Sequence, residues 1–299
     1  MSDAFVIETI DLHKRYDTVE ALRGLSLQVP AGSIYGCLGR NGAGKTTTIK
    51  ILLGMCRPTS GAARVFGLPA EDPAASVEIR RRLGFVSDDK DLYDAMTVSE
   101  MIRFTAPFFP KWRADLEARY LRRFELPLER RVKTLSRGAR AKLALLLSFC
   151  RGAELLVLDE PTAGLDPAAI EDVLQAIVSH VASEGMTVFF SSHQIAEVDQ
   201  IADQVAIIDR GRVVVSGALD ELREGFRRIQ LVFDGDAPEA AFRASGVTRV
   251  RRAGRVLTVL ASQGADAVAN EGRALGAVSV DIVPVTLKEI FLETVRTED

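Results

Sequence analysis

The run Gly39-Arg40-Asn41-Gly42-Ala43-Gly44-Lys45-Thr46 constrains this chain more than any other stretch, because it fits G-x-x-x-x-G-K-[ST] without a mismatch. Such a run works as a tight loop between a strand and a helix. Its glycines let main-chain N–H groups wrap a phosphate chain, and the positive end of the following helix favours the negative charge. Lys45 then reaches the terminal phosphates, Thr46 offers a hydroxyl to a magnesium ion, and Thr47 follows on the same helical turn. The flanking sequence supplies the context: "GSIYGCLG" reads as a strand before the loop, and "TTTIKILLG" as a helix after it that Gly54 can cap.

A second stretch, "LLVLDEPTAGLD" at residues 155 to 166, runs as an apolar strand into the adjacent acids Asp159 and Glu160. Taken alone the pair has two readings, an exposed strand end or a metal ligand beside a general base. A phosphate loop in the same chain favours the second, since these sites need an acid at the end of a nearby apolar strand to hold the magnesium shell. Asp159 is expected in that role. Glu160, one residue on, faces the other side of the strand end and is expected to activate an attacking water.

The wider pattern is α/β. Residues 5 to 38 alternate apolar and polar side chains, as half-buried strands broken at Pro30-Ala31-Gly32. From about 90 to 150 the pattern is helical, interrupted by Pro107, Pro110 and Pro127. Then come strand 155–158, a helix from about 168, strand "MTVFF", a short helix and strand "QVAIID". Strands alternating with helices predict a mostly parallel sheet covered on both faces. Residues 225–299 differ: "RRIQLVF", "APEAAFRAS", "VTRVRR", "RVLTVLA", "ADAVANEGRAL" and "VSVDIV" read as strand, helix, strand, strand, helix, strand. That is a split βαβ order, closed by a short helix "TLKEIFLETV". A length of 299 residues at 47% hydrophobic composition accommodates two such domains.

Charge narrows the partners. Lys and Arg total 38 against 41 Asp and Glu, so no global signal for a polyanion exists and no nucleic acid is expected. The exception is local: between 111 and 142 there are 11 basic and 4 acidic residues, either a solvated helix surface or a face for anionic lipid headgroups or an acidic loop. Cys37, Cys56 and Cys150 form no C-x-x-C pair and are odd in number, which predicts reduced, buried thiols. The first residues lack a basic region followed by an apolar stretch, and no apolar run reaches about eighteen residues. A cytosolic chain that spans no membrane by itself is expected.

Four segments, in order and spacing, resemble the ATP-binding cassette (ABC) family over about residues 5 to 224: the phosphate loop, "TLSRGARAKLAL", "LLVLDEP" followed by "AGLDP", and "VFFSSH". The resemblance implies a P-loop ATPase core at 1–224, with an N-terminal antiparallel β subdomain and a helical subdomain at about 90–150, beside the small α+β accessory domain read from the strand and helix pattern of 225–299. It also implies a signature loop at Leu135-Ser136-Arg137-Gly138-Ala139, where the Ser136 hydroxyl and Gly138 amide bind the γ-phosphate held by another subunit. Ser136 equally suits a helix N-cap, and Arg137 and Ala139 depart from the commonest Leu-Ser-Gly-Gly-Gln form. His193 matches the switch histidine that contacts the γ-phosphate, and Asp166 the aspartate that crosses the dimer interface. Tyr16 stands where an aromatic stacks on adenine, its alternative being a half-buried strand residue. Asp88, followed by Asp89, replaces the usual glutamine that touches Mg²⁺. A shorter, anionic side chain there reaches the metal through a water and adds negative charge near phosphate. His13 and His180 match nothing and are expected on the surface or on a helix face.

The implied function is the ATP-hydrolysing subunit of an ABC transporter, using ATP and Mg²⁺. Two such domains pair head to tail, as homodimer or heterodimer, at the cytoplasmic face of a membrane. They energise an integral-membrane permease on a separate chain, with an exporter-type affinity suggested by "LSRG", "SSH" and the appended domain. The alternative is a soluble ABC-type ATPase acting on ribosomes or DNA, although those relatives usually carry two cassettes or a long coiled-coil insertion. A binding module with impaired catalysis is suggested by Asp88 and Arg137 and opposed by the presence of Glu160 and His193.

Overall fold

The computed structural model describes residues 5–239 and 242–295. Two compact units divide the chain between Val213 and Val214. The first contains, in order, β1 (Phe5–Tyr16), β2 (Val19–Pro30), β3 (Ile34–Leu38), α1 (Lys45–Leu52), β4 (Ser60–Val65), β5 (Leu68–Pro69), α2 (Pro73–Arg82) and β6 (Leu83–Val86). It continues through α3 (Val98–Thr105), α4 (Ala114–Phe124), α5 (Arg137–Phe149), β7 (Leu155–Asp159), α6 (Pro167–Glu184), β8 (Thr187–Ser192), α7 (Ile195–Ile201) and β9 (Gln204–Asp209). The division falls within β10 (Arg212–Ala218). Beyond it lie α8 (Leu219–Gly225), β11 (Arg227–Val232), β12 (Val247–Ala253), β13 (Val256–Ala261), α9 (Ala265–Ala274), β14 (Ser279–Pro284) and α10 (Leu287–Thr294). The expected boundary at 224/225 sits at the far end of α8, which belongs with the second unit because it packs on α10.

Two sheets organise the first unit. One has the order β2-β1-β4-β5 and is antiparallel throughout. The other has six strands in the order β10-β9-β3-β8-β7-β6, with parallel pairing from β9 across to β6. Every residue of β3, β7 and β8 is buried. This corrects the half-buried expectation for "GSIYGCLG": a parallel strand with neighbours on both sides and helices over both faces buries both sets of side chains. Between the sheets runs α1, whose Ile49, Ile51 and Leu52 join Ile7, Leu25, Val157, Phe189 and Ala206 in one core. Gly54 ends this helix in the left-handed conformation, its N–H bonded to the Ile51 carbonyl, as the sequence predicts.

The helical stretch is held by local signals and one aromatic node. Thr97 and Glu100 make a reciprocal capping box at the start of α3. Tyr120 of α4 meets Phe149 of α5 at 4.8 Å between ring centroids, and Phe149 stacks at 4.0 Å on His180 of α6. His180 is therefore 1% exposed, on a helix face and not at the surface, the two placements expected for it, and its Nδ1 lies 3.1 Å from the Tyr120 hydroxyl. A single histidine carries no periodicity that distinguishes a core face from a wet one.

In the second unit the sheet order is β12-β13-β11-β14, antiparallel throughout, which is the expected split βαβ arrangement. The helix expected over "APEAAFRAS" is absent from its described residues 237–239 and 242–245, residues 240 and 241 lying outside the described ones. Its apolar residues Ala237, Phe242 and Ala244 instead pack directly on the sheet core with Ile229, Leu231 and Val259.

Burial pushes the His180 imidazole down to about 4, with Glu184 opposing the shift. The unfolded chain takes up this proton near pH 6.5 and the folded chain only near pH 4, so stability is full above pH 6.5 and falls as pH drops toward 4, by up to about 3 kcal/mol. Thermal melts between pH 7 and pH 4.5 are expected to show this decline, and His180→Leu to flatten it.

Candidate functional site

The phosphate loop sits between the buried strand β3 and the buried helix α1, so its ends are fixed by both sheets. Gly44 is the N-cap of α1 with φ +112°, and a Cβ there would stand 2.7 Å from Leu22 Cδ2 and 2.9 Å from the Ala21 carbonyl. Only glycine satisfies both the left-handed backbone and that approach. The Gly39 N–H reaches the Ser192 carbonyl at the end of β8, and the Ala43 N–H closes a turn on the Arg40 carbonyl. Arg40, Asn41 and Gly42 lie exposed at the rim, while the first N–H groups of α1 lack intrahelical acceptors and face the loop. Lys45 is buried, and its Nζ donates to the Gly39 carbonyl at 2.8 Å and lies 3.2 Å from Glu160 Oε1.

Parallel pairing of β7 with β8 puts Asp159 beside Ser191. Ser191 Oγ donates to Asp159 Oδ1 at 2.6 Å and accepts from the Glu160 N–H at 3.0 Å, both within a fully buried contact. Thr46 Oγ1 donates to the same Asp159 oxygen at 3.2 Å. The chain then turns at Glu160, whose φ of +46° is left-handed. A non-glycine residue held there costs on the order of 1–3 kcal/mol and persists only where surrounding contacts fix it. Those contacts are Ser191 behind it, Lys45 on Oε1, and His193, whose Nδ1 lies 2.8 Å from Oε2 and whose main-chain N–H donates to the same oxygen at 3.3 Å. The two acids thus differ in company: Asp159 keeps the hydroxyls, Glu160 the cation and the imidazole. His193 stays 43% exposed at its side chain against 11% for Glu160, which leaves the ring accessible beside a nearly buried carboxylate.

Asp88 reaches this cluster through a residue that the sequence reading did not single out. Lys90 is buried, has a left-handed φ of +49°, and donates from Nζ to the Asp88 carbonyl at 2.9 Å and the Glu160 carbonyl at 3.4 Å. Burial raises the Asp88 carboxyl above its ordinary value, with Lys90 opposing and Asp159 and Glu160 reinforcing the shift. Burial lowers the Lys90 ammonium, and the four neighbouring acids resist that change.

Residues 22–163 match the family described as "ABC transporter", and residues 129–199 also match "AAA domain, putative AbiEii toxin, Type IV TA system". The ABC transporter ATP-binding protein YtrB of Bacillus subtilis (strain 168) is 28% identical over 287 residues, 96% of this chain and 97% of its own. The Nod factor export ATP-binding protein I of Ralstonia nicotianae is 34% identical over 222 residues, 73% of this chain and 68% of its own. A solved ATP-binding subunit of an ABC transporter superposes with a TM-score of 0.65 at 30% identity, covering 73% of this chain and 92% of that one. The chain belongs to the ABC transporter ATP-binding family. It is an ATPase subunit, one that hydrolyses ATP to drive transport.

In this ABC ATPase the remaining expected residues stand apart from the cluster. Ser136 is the N-cap of α5, its Oγ accepting from the Ala139 N–H at 3.2 Å. That bond uses an oxygen lone pair and leaves the hydroxyl proton to donate, so the capping and phosphate readings are compatible. Gly138 is buried where α5 rests on α6, a Cβ there standing 3.0 Å from Ala169 Cβ. Asp166 is exposed and caps α6, accepting from the Ala169 N–H at 3.0 Å. Tyr16 is 42% exposed at the end of β1, with Lys14 Nζ 4.8 Å from its ring centroid and its hydroxyl 3.5 Å from Cys56 Sγ. Thr47 is half-buried on the first turn of α1.

Sequence reasoning also missed a buried carboxylate on α7. Glu197 accepts from Thr162 Oγ1 at 2.5 Å and Ser192 Oγ at 2.7 Å, tying the turn after Glu160 to the end of β8. The paired serines of "FFSSH" were the available signal, since hydroxyls ending a fully buried strand require partners. Ser191→Ala is expected to strand the buried Glu160 N–H, lowering stability in denaturant titrations by about 1–3 kcal/mol and lowering ATP turnover with it.

Proposed function

We propose that Glu160 is the general base for ATP hydrolysis, that Thr46 and Asp159 hold Mg²⁺, and that the site is completed by a second copy or a close relative. The observation that carries this reading is the Glu160 carboxylate held between Lys45 at 3.2 Å and His193 at 2.8 Å, at the mouth of a phosphate loop. The hydroxyl and carboxylate of Thr46 and Asp159 fit Mg²⁺, which takes few protein oxygens and fills its shell with waters and substrate phosphates. When bound, the ion supplies charge neutralisation for the β- and γ-phosphate oxygens. Asp88 is assigned to that shell through a water.

The chain's own residues do the rest. The loop N–H groups and Lys45 take the phosphates, and Tyr16 stacks on the adenine. Glu160 removes a proton from a water as its oxygen bonds to the γ-phosphorus and the bond to the bridging β–γ oxygen breaks, leaving ADP and phosphate. His193 orients the Glu160 carboxylate through Oε2 and keeps its other ring nitrogen for the γ-phosphate. Ser136, Gly138 and Asp166, which lie outside this cluster, serve the nucleotide of the opposing subunit in a head-to-tail pair.

No helix among the described residues is long and apolar enough to cross a membrane. We assign the permease that this subunit energises to a separate polypeptide, reached from the cytoplasmic face. An export direction is supported by the Nod factor export relative and by "LSRG" at residues 135–138.

Glu160→Gln is expected to reduce steady-state ATP turnover by about 10²- to 10⁴-fold while ATP still binds and produces a dimer on size-exclusion chromatography; wild-type turnover in that variant would overturn the assignment. Affinity purification from detergent-solubilised membranes is expected to recover a protein with several membrane spans. Recovery of ribosomal proteins in its place favours the soluble alternative.

A further inference from the structure

Lys90 is the buried cation of the site that the reaction as described does not use. Its residue is 6% exposed, and its Nζ bridges the carbonyls of Asp88 and Glu160 across two elements distant in sequence, the turn after β6 and the turn after β7. Both carbonyls belong to residues in the hydrolytic cluster, and both Lys90 and Glu160 hold left-handed backbone conformations. The same turn, with Asp88, Asp89 and Lys90, borders a cleft of about 380 Å³ whose other walls are Arg137 and Arg140 of α5 and Ala163-Gly164.

Charge gives the bridge a second consequence. Asp159 and Glu160 already place two carboxylates near the phosphate-binding loop, and Lys45 answers one of them at 3.2 Å. Asp88 adds a third acid where a neutral amide would add none, and an uncompensated carboxylate close to a triphosphate opposes its binding. A lysine two residues later, folded back so that its ammonium lies on the main chain of both Asp88 and Glu160, places a compensating positive charge within the same turn.

We propose that Lys90 is a positioning residue of the hydrolytic site: its ammonium fixes the main chain that carries Glu160 and neutralises the negative charge that Asp88 brings. The proposal rests on Glu160 being the base.

The test compares Lys90→Met, Asp88→Asn and the double variant with the wild type in the full-length protein. Two readouts are used: steady-state ATP hydrolysis, and affinity for a fluorescent ATP analogue in EDTA, where neither metal nor turnover contributes. Lys90→Met is expected to lower kcat by about tenfold or more and to weaken binding of the analogue. Adding Asp88→Asn is expected to restore affinity to near that of Asp88→Asn alone, because the charge that needed an answer is gone. A lysine that only stabilised the fold would lower the melting temperature without this rescue. Equal weakening in Lys90→Met and the double variant overturns the charge pairing, and wild-type kcat in Lys90→Met overturns the positioning role. Where Lys90→Met does not fold, Lys90→Gln, which removes the charge and keeps a donor, is read for analogue affinity: rescue by Asp88→Asn is again expected, and its absence overturns the charge pairing. Glu160→Gln run alongside separates the two levels: if it hydrolyses ATP normally the base assignment fails, and if it is inactive while Lys90→Met is normal only the Lys90 proposal fails.

Discussion

The packing of α1 between two sheets is the constraint on which the site depends. A phosphate loop needs its main-chain N–H groups aimed in advance, since their entropy of ordering is then met by folding and not by binding. Here the loop has no slack at either end. Leu38 is buried in the parallel sheet before it, and Ile49, Ile51 and Leu52 are buried against the antiparallel sheet after it. The antiparallel strands also press directly on Gly44 through Leu22 and Ala21. The N-terminal sheet thereby acts on nucleotide binding without its core touching the nucleotide.

Around that fixed loop, two carboxylates of the same chemistry acquire different surroundings. Asp159 ends its strand in regular parallel register and receives hydroxyl donors. Glu160 leaves the sheet through a left-handed turn and meets a lysine and a histidine instead. Ser191 serves both, donating to one carboxylate and accepting from the backbone of the other. One buried hydroxyl thus sets the spacing between the two acids.

What was legible in the sequence follows from range. The phosphate loop, the apolar strand before Asp159, and the cap at Gly54 are local patterns, each declared within a few residues. The split βαβ strand order of the second unit was equally readable, because its strands announce themselves one at a time. The helix expected over 237–245 misled at its described residues because their apolar side chains fill the sheet core without one. Lys90 and His180 were not readable for another reason. Burial of a single polar residue is set by elements tens of residues away, β7 for Lys90 and the α4–α5 pair for His180, and no periodicity marks it. That Asp159 and Glu160 face different ways at the strand end was readable, but the turn that separates them was not, since strand alternation alone gives no hint of a positive φ.

The contact at Gly138 has a mechanical consequence. With no side chain there, α5 settles directly on Ala169, in the first turn of α6, and Asp166 caps that same turn. The Ser136 cap and the Asp166 cap are consequently anchored to each other through two helix starts in van der Waals contact. A side chain at Gly138 would therefore wedge the two helix starts apart and displace both caps together.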